Sequence, residues 1–204
     1  MTTLRYDISE QTVPMPQVAA RLVRSARRAS GLSQRDLAGR ASVSGSAVAD
    51  VERGAHDPGS ESLERLLGAT GHRLCALPTT SFPVAEWADF IYRELRSARR
   101  SPAVAFRALI GLSDELAAAA KPLRVALCVA VPAPCGDVRY DAAIAGIVEH
   151  HLSTDRLPVP DWVGEHTRTL VEPWRASPYT VRSEVPEALA RHGVWLAATD
   201  LASV

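Results

Sequence analysis

No run of apolar residues in this 204-residue chain approaches the roughly 18 needed to cross a bilayer. The amino terminus also lacks the basic-then-apolar order of a secretory signal, so the expected location is the cytoplasm, without membrane association. Cysteine is scarce. Cys75, Cys128 and Cys135 are an odd count with no Cys-x-x-Cys spacing, which argues against a zinc finger or a dithiol redox motif and leaves free thiols, expected as buried small hydrophobes. No glycine-rich phosphate loop is present. Aromatic residues make up only 5% of the chain, so a packed core must come mostly from Ala, Val and Leu. Lysine is nearly absent: Lys121 stands beside 22 arginines. That skew is of the kind GC-rich coding produces, so arginine abundance alone carries little functional weight.

Catalytic and metal-binding constellations are equally hard to assemble. His150 and His151 are neighbours, and adjacent side chains on a helix point about 100° apart, so with His166 they make a poor metal site. Asp137 and Asp141 have the one-turn spacing of an acid/base pair, but helix capping accounts for Asp137 more simply. No cofactor, metal or enzymatic activity is expected.

What the chain does have is asymmetry within a formal net charge of zero. From Arg21 to Arg40 six arginines accompany one acid, Asp36, whereas from Arg124 onward seven arginines accompany ten acids. The basic end suits DNA phosphates and the acidic end does not. Length suits two modest domains. The expected division is an arm over residues 1–15, a basic domain over 16–78, a linker over 79–83 and a second, helical domain over 84–204.

Local signals fill in that outline. A first helix from about Pro16 to Ser30 places Val18, Leu22, Ala26 and Ala29 on one face. Ser33 can cap a second helix that buries Leu37 and Ala41, and Ser44 a third that buries Val48 and Val51. Ser42 and Val43 leave so little chain between these two that they must cross steeply. Asp57-Pro58-Gly59 reads as a turn, and Gly71-His72 as a helix stop. Arg73–Leu77 alternates loosely, as a short strand closing the domain would. Val84–Arg100 puts Trp87, Ile91 and Leu95 on one helical stripe. Ser101 and Pro102 open another helix through about Ala120. Leu123–Val131 fits either a strand or a buried helical turn, and Gly136–Leu152 opens a further helix.

The stretch Leu32–Gly54, with its arginine-bearing preceding helix (Arg21, Arg24, Arg27, Arg28), its Gly31-Leu32-Ser33-Gln34 opening, Ala38 and its Glu52-Arg53-Gly54 exit, resembles the Cro/C1-type (XRE) helix-turn-helix family. A further helix, Glu61–Ala69, carries Leu63, Leu66 and Leu67. The resemblance covers about Val18 to Pro78. It implies a mainly α protein whose amino-terminal part is a five-helix-type, lambda-repressor-like domain. In such a unit the head of the third helix faces base edges in the major groove, and the head of the second grips phosphate.

The candidate DNA-binding residues are therefore Gln34 and Arg35 on the second helix, and Ser44, Gly45, Ser46 and Asp50 on the third. Arg53, Arg24 and Arg28 are placed for phosphate, although Arg53 could instead cap carbonyls and the others could line a solvated face. Asp50 could equally be a solvated acid. Arg27 and Glu52 occupy positions that in the family often form an internal ion pair. The reading end carries only short side chains, so direct base readout is expected to be modest, and close backbone approach at Gly45 or DNA shape must supply more.

The distal segments Gly136–Leu152, Pro158-Val159-Pro160-Asp161-Trp162-Val163, Glu172-Pro173-Trp174 and Pro186–Leu196 are similar in order to the carboxy-terminal domain of antitoxins paired with nucleotidyltransferase-like toxins. That resemblance implies a protein that neutralises a toxin encoded beside it and represses their shared operon as a homodimer on promoter DNA. Leu189-Ala190-Arg191 departs from it where relatives have an aromatic residue. Trp162, Trp174 and Trp195 are candidate partner anchors, with core packing the other reading. The alternative is a stand-alone regulator of the same DNA-binding type whose distal domain senses a ligand or dimerises.

Overall fold

Ala19, Val23 and Ala26 recur at helical spacing and form the buried stripe of α1 (Met15–Ala29), a helix rich in arginine elsewhere. They belong to a computed structural model that describes residues 15–96, 102–177 and 179–201. Apart from Met15, the expected arm lies outside the described residues, as does the proposed cap Ser101. The chain divides into two compact units, Met1–Ala76 and Leu77–Val204.

In the first unit, α1 is followed by α2 (Gln34–Ala41), α3 (Gly45–Glu52) and α4 (Ser60–Gly68). Four helices of the expected five-helix arrangement thus lie among the described residues. Their core joins Ala19, Val23 and Ala26 to Leu37, Ala38 and Ala41 of α2, Val48 and Val51 of α3, and Leu63, Leu66 and Leu67 of α4. The stripe on α1 is rotated from the one expected: Ala29 is exposed, Val18 and Leu22 are half-buried, and Val23 is 1% exposed. Centring the helix on Val23 carries Arg27, one turn later, to the edge of the same core.

Capping sets the ends of α2 and α3. Ser33 closes a capping box with Asp36: Asp36 N donates to Ser33 Oγ at 3.1 Å and Ser33 N donates to Asp36 Oδ2 at 3.2 Å. At the other end Ser42 takes a left-handed φ of 55°, and Val43 N donates back to Ala38 O at 3.0 Å. This Schellman-type closure stops α2 and turns the chain in two residues. Ser44 then caps α3, its Oγ accepting from Ala47 N at 3.1 Å.

The strand expected at Arg73–Leu77 is not formed. All five residues are exposed, Leu74 by 42% and Leu77 by 46%. Loose alternation makes a strand only when another strand takes up its backbone groups, and among the described residues the one ladder lies in the second unit. Cys75, in this segment, is exposed rather than buried as expected.

The second unit contains α5 (Val84–Arg96), α6 (Pro102–Ala118), α7 (Lys121–Cys128), α8 (Val138–Thr154) and α9 (Glu187–Arg191), with several 3-10 turns. Its centre is α8, capped by Asp137 through Arg139 N and buried on every side from Tyr140 to Val148. A helix without a polar face is a core helix. Gly146 lets it approach α9, since a Cβ there would lie 3.1 Å from Leu189 Cα. Leu123–Val131, ambiguous in sequence, is mostly α7. Arg124 in that helix donates to Ala117 O in the last turn of α6, to Ala119 O just past it and to His151 O on α8, so one guanidinium covers two helix ends.

A short parallel ladder joins β1 (Trp174–Arg175) to β2 (Val194–Trp195). It brings together the distal tryptophans' neighbourhoods in different ways. Trp174 is half-buried beside Tyr140, ring centres 5.5 Å apart, with the Arg139 guanidinium 5.6 Å away. Trp195 is half-buried beneath Arg175 at 4.7 Å. Trp162 is 3% exposed, donates its indole N–H to Cys128 O at 2.9 Å and lies under Arg168. Its expected role as a partner anchor is therefore replaced by core packing, because a side chain buried and hydrogen-bonded inside cannot meet a partner. Among the described residues no helix is long and apolar enough to cross a membrane.

Candidate nucleic-acid interface

Glu52, at the foot of α3, is 2% exposed and would be costly to bury unpaired. Two helices, α1 and α2, supply its partners. Arg27 on α1 donates Nε to Oε1 at 2.6 Å and Nη2 to Oε2 at 3.0 Å, a two-point grip of the kind a planar guanidinium suits. Gln34 at the head of α2 donates Nε2 to Oε2 at 2.9 Å. Arg24 donates to the Glu52 carbonyl oxygen. Arg27 Nη1 also reaches Leu32 O at 2.8 Å, holding the turn between α1 and α2.

Electrostatics follow from that arrangement. Burial pushes the Glu52 carboxyl upward, but hydrogen bonds from Arg27 and Gln34, with the charges of Arg27 and Arg24, outweigh it and hold the group below its ordinary value of 4.5. Hydrogen bonding to Glu52 raises Arg27 correspondingly. The cluster is ionised at neutral pH and fixes the angle between α2 and α3.

The outer side of this scaffold carries the candidate contact residues. Along α3, Val48, Val51 and Glu52 face inward, leaving Gly45, Ser46, Ala49, Asp50 and Arg53 on the side toward solvent. Ser44, Gly45 and Ser46 are exposed. Part of the hydrogen-bonding capacity there is already used: Ser44 Oγ caps Ala47 N and lies 3.0 Å from Ser46 Oγ. Nothing lies within 4 Å of a Cβ built on Gly45, and its φ is not left-handed, so the fold itself does not require glycine there.

The remaining candidates divide by what holds them. Gln34 is exposed yet keeps its side-chain amide on Glu52, so the group expected at a phosphate also ties α2 to α3. Arg24 combines an exposed side with its bond to the Glu52 carbonyl oxygen. Arg28 and Arg35 are exposed. Arg53 both caps and pairs: Nε donates to Ala49 O at 3.3 Å and Nη2 to Asp50 Oδ1. Asp50 is thus ion-paired rather than merely solvated. The i, i+3 spacing of opposite charges was the sequence signal for that pair. The Gln34 link to Glu52 had no such signal, because 18 residues separate them.

Residues 18–73 match the sequence model of a helix-turn-helix domain family. No curated protein and no solved structure gives a significant match to the chain. The matched span contains α2, its two-residue turn, α3 and every residue of the Glu52 cluster. A helix-turn-helix domain of the Cro/C1 type points to a DNA-binding transcriptional regulator.

Proposed function

We propose that this chain is the DNA-binding antitoxin of a toxin–antitoxin pair, repressing its own promoter and neutralising a neighbouring nucleotidyltransferase-like toxin. The helix-turn-helix match over residues 18–73, with α3 held against α1 and α2 by Glu52, carries the DNA-binding part. In this reading the head of α3 enters a major groove, Ser44, Gly45 and Ser46 approach base edges, and Gln34, Arg35, Arg24, Arg28 and Arg53 face phosphates. A homodimer in the cytoplasm spans two half-sites about 34–36 Å apart.

The toxin part draws on the order of distal segments and on exposed apolar side chains in the second unit, Val171, Tyr179 and Val181. Exposed aromatic and aliphatic groups of this kind suit a protein partner. Half-buried Trp174 and Trp195 remain candidates at such a surface.

Two experiments test the halves separately. Duplex DNA from upstream of the coding sequence should bind the chain, and Gln34→Ala combined with Ser46→Ala should weaken that binding in a folded protein; unchanged affinity and specificity removes the assignment. The neighbouring reading frame should be toxic when expressed alone and harmless with this chain. A harmless frame sinks the antitoxin reading and leaves a stand-alone regulator whose second unit dimerises or senses a ligand.

A further inference from the structure

Arg53 is the only cation on the solvent side of α3, and Asp50 the only acid. Their side chains are 68% and 42% exposed, yet they are joined, and Arg53 Nε is drawn back along the helix to Ala49 O at 3.3 Å. The other groups on that side are a glycine, a serine and an alanine. The outward surface of the helix is therefore close to neutral because one carboxylate occupies one guanidinium.

That arrangement matters for discrimination. A free guanidinium attracts phosphate anywhere on a duplex, and such contacts supply sequence-independent binding without telling sites apart. Neighbouring side chains as short as Ser44 and Ser46 give weak base readout, so the sequence-independent affinity an unrestrained arginine adds is not offset by strong base contacts beside it. A carboxylate at Asp50 detains Arg53.

Resting on the DNA-binding reading above, we propose that Asp50 is a positioning residue: it holds Arg53 away from phosphate on non-cognate DNA and so sets the gap between specific and non-specific binding. Release of Arg53 adds one phosphate contact on non-cognate DNA, whereas in the seated specific complex Arg53 already faces phosphate. Release therefore raises non-specific affinity more than specific affinity.

The test uses the full chain with Asp50→Ala, Arg53→Ala and both together, titrated by fluorescence anisotropy against a random-sequence duplex and the upstream duplex across a potassium chloride series. Asp50→Ala should tighten binding to the random duplex about three- to fivefold, the scale of an exposed ion pair. Its salt dependence should steepen by about 0.9 in log–log slope, the signature of one added phosphate contact. Both gains should vanish in the Arg53→Ala background. No gain on Asp50→Ala, or an equal gain without Arg53, overturns the proposal, the latter by reducing Asp50 to bulk charge. A wild-type chain that binds neither duplex instead overturns the DNA-binding reading itself, so the two failures are distinct. Both positions are solvent-facing, and circular dichroism of each variant checks that it is folded.

Discussion

Gln34 donates its side-chain amide to Glu52 at 2.9 Å, so the head of α2 and the foot of α3 share one carboxylate. The same group binds Arg27 of α1 at two points. The relative placement of the two helices of the DNA-binding unit thus depends on a buried anion on α3 whose partners come from α1 and α2.

Truncating Arg27→Ala leaves that anion 3% exposed without its principal counter-charge. The expected loss is about 3 kcal/mol from the first unit, the low end for breaking a buried pair. Native-state hydrogen exchange of amides in α1–α3 should show it, while amides of α8 stay unchanged. DNA binding should fall through loss of structure, since Arg27 itself is turned inward.

Acid should act through the same group. Glu52 has a folded pKa below its ordinary value of 4.5, so its stabilisation is fully present above that value and is lost as pH falls through the depressed folded one. Exchange protection of α1–α3 should hold down to about pH 4.5 and then decline. Glu52→Gln should remove this component of the decline.

The second unit has an acid response of opposite chemical origin. Burial, with His150 and Arg124 nearby, pushes His151 from 6.5 down to about 4, while Ser113 Oγ and His151 Nε2 lie 2.8 Å apart. The unfolded chain takes up this proton at higher pH than the folded chain, so stability should fall between pH 6.5 and about 4, by up to about 3 kcal/mol. All four tryptophans lie in this unit, so their fluorescence during urea unfolding isolates it. His151→Gln should flatten the profile over that range.

Gly45→Ala separates folding from contact. Its Cβ would meet nothing within 4 Å, and alanine favours the helix, so stability should hold or rise by up to about 1 kcal/mol. Affinity for the upstream duplex should nevertheless fall about tenfold if backbone approach at α3 is what the glycine serves. Unchanged affinity would argue that the helix head stands off from the DNA.

Gly111→Ala should do the reverse. A Cβ there would sit 2.8 Å from Trp87 Cη2, and the indole is held in place through its N–H on Glu115. Overpacking of this kind costs about 1–3 kcal/mol, read from the tryptophan unfolding midpoint, with DNA binding unaffected.

Thiol accessibility gives a simpler check. Cys75 is exposed, whereas Cys128 is buried and pushed up to about 12 by that burial, and Cys135 is buried and shifted higher still. Only Cys75 should react promptly with a disulfide reagent in the native protein. The other two should react on unfolding.

Local chemistry was enough to determine where α2, α3 and α8 start and that the first unit pairs two helices across a tight turn. Ser33, Ser44 and Asp137 each sit beside the amides they cap, and the apolar periods of α2 and α3 are complete within single segments. Tertiary structure decided the rest. It chose the Val23-centred face of α1 that delivers Arg27 to Glu52, drew Trp162 into the core under Arg168, left Arg73–Leu77 without a strand partner and paired β1 with β2. Those outcomes depend on residues far apart in sequence competing for the same buried space, and no window along the chain contains both competitors.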